Sequence, residues 1–311
     1  MDTRTTWLEN RDALRRTTLV ESRTLNRVLG CETVLVLESL QHTGSFKFRA
    51  AWNVVRSVPH PRFIAASSGN FGQALACAAQ MLGRGCTVVM PNSSAKVKVD
   101  AVRSYGATAD LIDTTLVSRS GRVVQLAMDD PDAYVASAYD DPLVIAGNAT
   151  LAHDLVEQKL QADILIAPLG GGGLTAGLIR GFCDAGAALP VVASEPLMAN
   201  DGARSLRAGH RVANETEPPT IADGARTLSV GNHNWAILQH GLAGIVEPDD
   251  ATIARAVRVL YSEANVKAEP TGALSIAALL AEPERFEGMR VACVISGGNV
   301  DPAVYAQILT G

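Results

Sequence analysis

The sequence has no apolar run long enough to span a bilayer, and its opening residues, Met1-Asp2-Thr3-Arg4, lack the basic start and apolar stretch of a secretory leader. No membrane partner is expected, and the chain reads as cytoplasmic. It also lacks a basic block: 27 Lys and Arg against 32 Asp and Glu leave a formal net charge of −5. That balance offers no track for nucleic-acid phosphates or an anionic surface, which leaves small molecules as the expected partners. Cysteine is scarce: Cys31, Cys77, Cys86, Cys183 and Cys293 are an odd set without metal-ligand spacing. Reduced, buried thiols are expected rather than a disulfide framework. Aromatics are only 5% and low-complexity tracts are missing, while hydrophobic residues reach 47%, so a fibrous or disordered chain is excluded.

What is present is alternation. Short β-branched runs ending in Gly, Ser, Asn or Pro are separated by Ala- and Leu-rich stretches of helical length, the pattern of an α/β fold with a parallel sheet. The runs predict strands at Thr33–Leu37, Arg62–Ala66, Cys86–Met90, Ala109–Ile112, Ala133–Ala136, Ile164–Ala167, Val191–Ala193 and Val291–Ile295. Helices are expected near Lys47–Val58, Phe71–Leu82, Val97–Tyr105, Val117–Met128, Thr150–Leu160, Leu174–Asp184, Ala251–Ala264 and Gly272–Leu280. At 311 residues two domains are expected. Residues 52–138 would form a small α/β domain inserted into a large one made of 1–51 and 139–311. Gly202–Gly231, with weak periodicity, is expected to run as an irregular surface excursion.

Ligands of open α/β sheets sit at the carboxyl ends of strands, and four loops qualify. In Thr43-Gly44-Ser45-Phe46-Lys47-Phe48-Arg49, a lysine kept from water could be neutral and form an imine with an aldehyde; equally, it could be the solvated start of a helix. Ser67-Ser68-Gly69-Asn70-Phe71-Gly72-Gln73 offers amides and hydroxyls to a carboxylate, or an ordinary helix cap. Gly170, Gly171, Gly172 and Gly173, followed by Leu174, open a helix whose amides suit a phosphate. A dinucleotide is a rival there, since Gly171-x-Gly173-x-x-Ala176 follows a strand and Glu195 follows the next one, as a ribose-binding acid would. Ser296-Gly297-Gly298-Asn299 ends the last strand and alone is a tight turn.

Taken together the loops resemble the fold-type II pyridoxal 5′-phosphate (PLP) enzymes, in the branch of threonine/serine dehydratases and serine racemases. The resemblance runs from Leu37-Glu38-Ser39-Leu40-Gln41 through Asp141-Pro142-Leu143-Val144-Ile145-Ala146-Gly147, Ser194-Glu195-Pro196, Thr220-Ile221-Ala222-Asp223-Gly224 and Glu269-Pro270-Thr271-Gly272-Ala273 to Ser296–Asn299. It implies a tryptophan synthase β-like fold, with two open, mainly parallel sheets flanked by helices on both faces. It weighs against a nicotinamide-dependent oxidoreductase, which has no use for Lys47 with Ser296.

The resemblance implies a lyase that takes the hydroxyl and amino group from a small β-hydroxy amino acid, leaving a 2-oxo acid and ammonia. Lys47 would hold the cofactor through an imine and take the Cα proton. Phe46 would lie beside the cofactor, Asn70 would bond its ring oxygen, Gly170–Gly173 with Leu174 would bind its phosphate, and Ser296 would face its ring nitrogen. Ser67, Asn70 and nearby amides would hold the substrate carboxylate, with Ser68 and Phe71 alongside. Ser68 matches the acid/base of the racemase-like branch and permits racemisation. Glu195, the Ala199 carbonyl and Asp201 match a site for Mg²⁺, Ca²⁺ or Mn²⁺, and a homodimer is expected.

Two positions depart from the pattern. Phe71 replaces a common His, and Asn148-Ala149 replaces a common Gln-Gly, both expected on the substrate side; an apolar ring at Phe71 would alter the accepted β-substituent. The chain ends soon after Asp301, so no C-terminal regulatory domain and no isoleucine feedback are expected, and a catabolic or specialised role fits.

Overall fold

A computed structural model describes residues 2–311. Its strands are β1 (Thr18–Val20), β2 (Glu32–Leu37), β3 (Arg62–Ala66), β4 (Gly85–Pro91), β5 (Thr108–Ile112), β6 (Ala133–Val135), β7 (Ile164–Pro168), β8 (Val191–Ser194), β9 (Leu242–Val246) and β10 (Arg290–Ile295). They form a six-stranded sheet ordered β1-β2-β10-β7-β8-β9 and a four-stranded sheet ordered β5-β4-β3-β6. All pairings are parallel except the edge pair of β1 with β2.

The period-2 geometry of a strand explains the two-faced burial. On one face of the larger sheet Leu35, Leu37, Ile166, Val291, Cys293 and Ile295 pack with Ile253, Val257 and Leu260 of the helix Asp250–Ala264 and with the helix Leu274–Ala281. On the other, Val36, Leu165, Ala167, Ala292 and Val294 meet Leu151 and Leu155 of the helix Pro142–Glu157 and Leu178 of the helix Gly173–Asp184. In the smaller sheet Phe63 and Ala65 face the helices Lys47–Ser57 and Asn70–Met81, while Ile64, Val89 and Ile112 face Val123 of the helix Arg119–Asp129.

All eight expected strands are present. The two additional ones left weak signals: β1 is three residues long, and β9 contains Gly244 and pairs with β8 across a register shift at Val191/Val192. The helix expected from Thr150 begins at Pro142, where Asp141 accepts from the Leu143 amide at 2.6 Å and proline fills the first turn. The helix Thr3–Asn10, poor in periodicity, is held from outside: the Trp7 indole donates to Glu157 at 2.6 Å, and the Thr3 hydroxyl to Asp184 at 2.7 Å.

Two expectations need correction. Gly202–Gly231 is no irregular surface excursion throughout, because the helix Asp201–Ala208 opens it and Gly202, Ala203, Ser205, Thr220 and Val230 are buried. Its order comes from hydrogen bonds to distant residues, which periodicity cannot reveal. Nor are all cysteines buried: Cys183 is exposed and Cys86 half-buried, though all five are free thiols.

Candidate active site

The carboxyl ends of β2, β10, β7 and β8 lead into the lysine motif, the Ser296 turn, the glycine loop and Glu195, so the parallel sheet delivers them to one edge. Backbone bonds join the first two: the Phe46 amide donates to the Ser296 carbonyl at 3.0 Å, and the Gly298 amide to the Gly44 carbonyl at 3.0 Å. Lys47 begins its helix directly behind that junction.

Its Nζ donates to the Ala138 carbonyl at 2.7 Å and lies 5.1 Å from the centre of the Phe46 ring and 5.8 Å from that of Phe71. Phe71 is fully buried. Loss of water pushes the Lys47 ammonium down to about 8, against the opposing attraction of Glu269. This amine is therefore uncharged near neutrality far more often than an ordinary lysine.

The turn after β3 is tied by its own side chains. Ser67 Oγ accepts from the amides of Gly72 at 3.0 Å and Gly69 at 3.3 Å, while Ser68 is half-buried between Ser67 and Gly69. Asn70 Nδ2 donates to Glu269 Oε1 at 2.7 Å, and Asn70 Oδ1 accepts from Asn299 Nδ2 at 2.8 Å. Glu269 is buried, and burial pushes its carboxyl up to about 8. Glu269 and Asn299 stand inside the motifs that carry the resemblance, yet the sequence assigns them no role. A buried acid that influences a half-buried lysine becomes visible only once the chain is folded.

The glycine loop starts the helix Gly173–Asp184, which has no side-chain cap, leaving its first amides to a ligand. Gly172 has φ +93°, and a Cβ on Gly171 would collide with the Tyr139 ring. Tyr139 follows Ala138, so the loop and Lys47 share one support. Asn148 stands beside this loop: its side chain lies against Gly173 and Gly177. Helix packing brings it there, since the helices Pro142–Glu157 and Gly173–Asp184 lie directly against each other.

The site suits a polar, phosphate-bearing aldehyde. Buried side-chain atoms without a protein partner include Thr43 Oγ1 and Ser45 Oγ in the lysine motif and Asn148 Oδ1 and Asn234 Oδ1 beside the glycine loop. Buried polar atoms are normally satisfied, and a bound polar ligand or ordered water would supply partners here. A ligand that carries an aldehyde would find its covalent partner in the Lys47 amine.

Glu195 and Asp201 lie in the turn after β8, both fully buried, with Ala199 between them. Glu195 accepts from the amides of Gly202 at 2.9 Å and Ala203 at 2.8 Å; Asp201 accepts from the Val230 amide at 2.8 Å and Asn214 at 3.0 Å. Burial and then Asp201 push the Glu195 carboxyl well up, and burial raises Asp201 to about 6. A carboxylate keeps lone pairs beyond these bonds, so these are hard oxygen donors of the kind a divalent cation takes. Glu195 is too enclosed to be the ribose-binding acid of the dinucleotide alternative.

A model of the pyridoxal-phosphate dependent enzyme family matches residues 11–297. The chain is 36% identical over 300 residues to an L-threo-3-hydroxyaspartate ammonia-lyase from Pseudomonas sp, covering 95% of this chain and 93% of the relative. It is 32% identical over 299 residues to a serine racemase of Schizosaccharomyces pombe, covering 95% and 92%. Among solved structures, a threonine deaminase from T.th. superimposes with a TM-score of 0.90 at 36% identity, covering 96% of this chain and 98% of the other. The cofactor is thus pyridoxal phosphate rather than a dinucleotide, and the chain belongs to the pyridoxal-phosphate dependent enzymes.

Proposed function

We propose that this chain is an ammonia-lyase that converts a small β-hydroxy amino acid into a 2-oxo acid and ammonia, with L-threo-3-hydroxyaspartate as its first candidate substrate. The carrying observation is the Lys47 amine, stripped of water between Phe46 and Phe71 in a chain 36% identical to an ammonia-lyase. The substrate choice rests on the names of the relatives.

Bound PLP supplies the electron withdrawal that lets a Cα–H bond break. Gly170, Gly171, Gly172, Gly173 and Leu174 would hold its phosphate with backbone amides. Asn70 would donate to its ring oxygen, Phe46 would pack beside it, and the Ser296 hydroxyl would face its ring nitrogen. A hydroxyl there does not keep that nitrogen protonated, which favours elimination or inversion over transamination. Ser67, Asn70 and the amides between them orient the substrate carboxylate, and Phe71 borders the β-substituent. Lys47 Nζ would take the Cα proton; the β-hydroxyl would leave as water, the proton it gains balancing the one taken from Cα, and a second water would hydrolyse the unsaturated amine to the 2-oxo acid and ammonia. Ser68 is the acid/base for the opposite side of Cα, making inversion the second outcome on this scaffold.

In the same reading Glu195, the Ala199 carbonyl and Asp201 hold Mg²⁺, Ca²⁺ or Mn²⁺ in a structural or activating role. Residues 52–138 form the small domain and 1–51 with 139–311 the large one, which is supported by the separate sheet of β3 to β6. The enzyme works as a cytoplasmic homodimer, its five free thiols suiting a reducing compartment.

The test is a panel of L-threo-3-hydroxyaspartate, L-serine, L-threonine and an aryl-serine, given to wild type and Phe71→His, with 2-oxo acid, ammonia and substrate configuration measured. Equal amounts of 2-oxo acid and ammonia are expected from the preferred substrate, with a changed ranking in Phe71→His. Inversion without 2-oxo acid would make the enzyme a racemase, and an unchanged ranking would remove Phe71 from selectivity.

A further inference from the structure

Asn70 is held by two side chains from distant parts of the sequence. One hydrogen of its amide goes to Glu269 Oε1 at 2.7 Å, and its Oδ1 accepts from Asn299 Nδ2 at 2.8 Å. Asn299 Nδ2 also donates to the Thr43 carbonyl at 2.7 Å, which fixes Asn299 in turn. Glu269 is fixed by its surroundings: its amide donates to the Gly297 carbonyl at 3.1 Å, and Oε1 occupies the space that a Cβ on Gly297 would need. Turning the Asn70 amide over would set its oxygen against the Glu269 carboxyl and its nitrogen against the Asn299 amide nitrogen. The second is a donor-against-donor mismatch of partly buried groups that Asn299, tied to the Thr43 carbonyl, cannot relieve by turning itself, so one orientation is favoured.

We infer that Glu269 and Asn299 are positioning residues that clamp the Asn70 amide, so that its remaining N–H is aimed at the cofactor's ring oxygen. The inference rests on the reading of Asn70 as the residue that bonds that oxygen. The clamp crosses three loops: Glu269 precedes the helix Leu274–Ala281, Asn299 follows β10, and Asn70 begins the helix after β3. It couples the alignment of the larger sheet with the smaller one to a single hydrogen bond at the cofactor. Glu269 is the stronger jaw, because its carboxyl is buried.

The experiment compares PLP affinity, and the absorbance maximum of the holoenzyme from pH 6 to 10, for wild type, Asn70→Ala, Glu269→Ala, Glu269→Gln and the Asn70→Ala/Glu269→Ala double variant. Each alanine variant is expected to bind PLP about tenfold more weakly and to shift the chromophore in the same direction. The double variant is expected to be no weaker than the poorer single one. Glu269→Gln, whose amide oxygen accepts the same bond, is expected within about threefold of wild type. Losses that multiply in the double variant, or a Glu269→Ala spectrum identical to wild type, would overturn the clamp. If Asn70→Ala alone leaves affinity and spectrum unchanged, the cofactor contact itself is wrong and the clamp falls with it. Should Glu269→Ala fail to fold, Asn299→Ala removes the other jaw and enters the same comparison.

Discussion

At Lys47 two effects act on one ammonium group. Burial strips its water and disfavours the charge, Glu269 attracts it, and burial wins, leaving the group at about 8. Only the neutral amine attacks an aldehyde, and the neutral fraction grows as pH rises through the midpoint. Uptake of PLP by the cofactor-free protein should therefore rise with pH and level off above about 8. Glu269→Gln removes the attraction that favours the charged form, so its midpoint moves to lower pH. Stopped-flow absorbance between pH 6 and 10 measures both, and a midpoint near the ordinary lysine value of about 10.4 would contradict the account. The lysine was legible because its motif is local: small and aromatic residues flank it within seven positions. Its controlling partners were not, since Glu269 meets Asn70 from 199 residues away and no periodicity encodes that contact.

At the scale of elements, the glycine loop and the strand ends do the positioning. The strands were readable because parallel strands buried on both faces are continuous apolar runs, and the residue after each run is the one that reaches the site. The interval between β8 and β9 was not readable, because Glu195 caps the helix Asp201–Ala208 across a turn and a short polar helix leaves little pattern. The glycine loop carries its own prediction. An alanine at Gly171 would drive its Cβ into the Tyr139 ring, and moving Tyr139 disturbs the Ala138 carbonyl that accepts from Lys47. Gly171→Ala should lose about 1–3 kcal/mol of stability by overpacking and bind PLP weakly. Urea denaturation and cofactor titration check this, and an unchanged midpoint with full affinity would mean that Tyr139 yields freely.

Across the whole molecule, buried charge sets the terms of stability. Arg49 is fully buried with Glu38 at 2.7 Å and Asp154 at 3.1 Å, which anchors the lysine-bearing helix to the larger sheet. Glu195 and Asp201 are a second buried pair, of two acids whose charged forms burial disfavours, and the divalent cation proposed for them would offset that cost. Mg²⁺, Ca²⁺ or Mn²⁺ should raise Tm in wild type, by a gain of about 2.7 kcal/mol at a hundred times Kd, and should do nothing for Asp201→Asn. Differential scanning calorimetry with and without each ion decides it, and equal shifts in both proteins would remove these carboxylates from the site. Exposed ion pairs, Lys98 with Asp223 at 2.7 Å and Arg119 with Glu217 at 3.6 Å, add links between the helices around the smaller sheet and the segment before β9. The fold class was legible in the alternation of strands and helices; these long-range pairings were not, because charge on a surface helix does not name its partner.

The central claim is that Lys47 joins PLP to this chain and performs the proton transfer. Its most direct test is the visible spectrum of purified wild type and Lys47→Ala, before and after borohydride, with 2-oxo acid formation from L-threo-3-hydroxyaspartate followed in parallel. The account predicts a borohydride-reducible chromophore and 2-oxo acid from wild type alone. A reducible chromophore or turnover retained in Lys47→Ala, or wild type that binds no PLP, would contradict it.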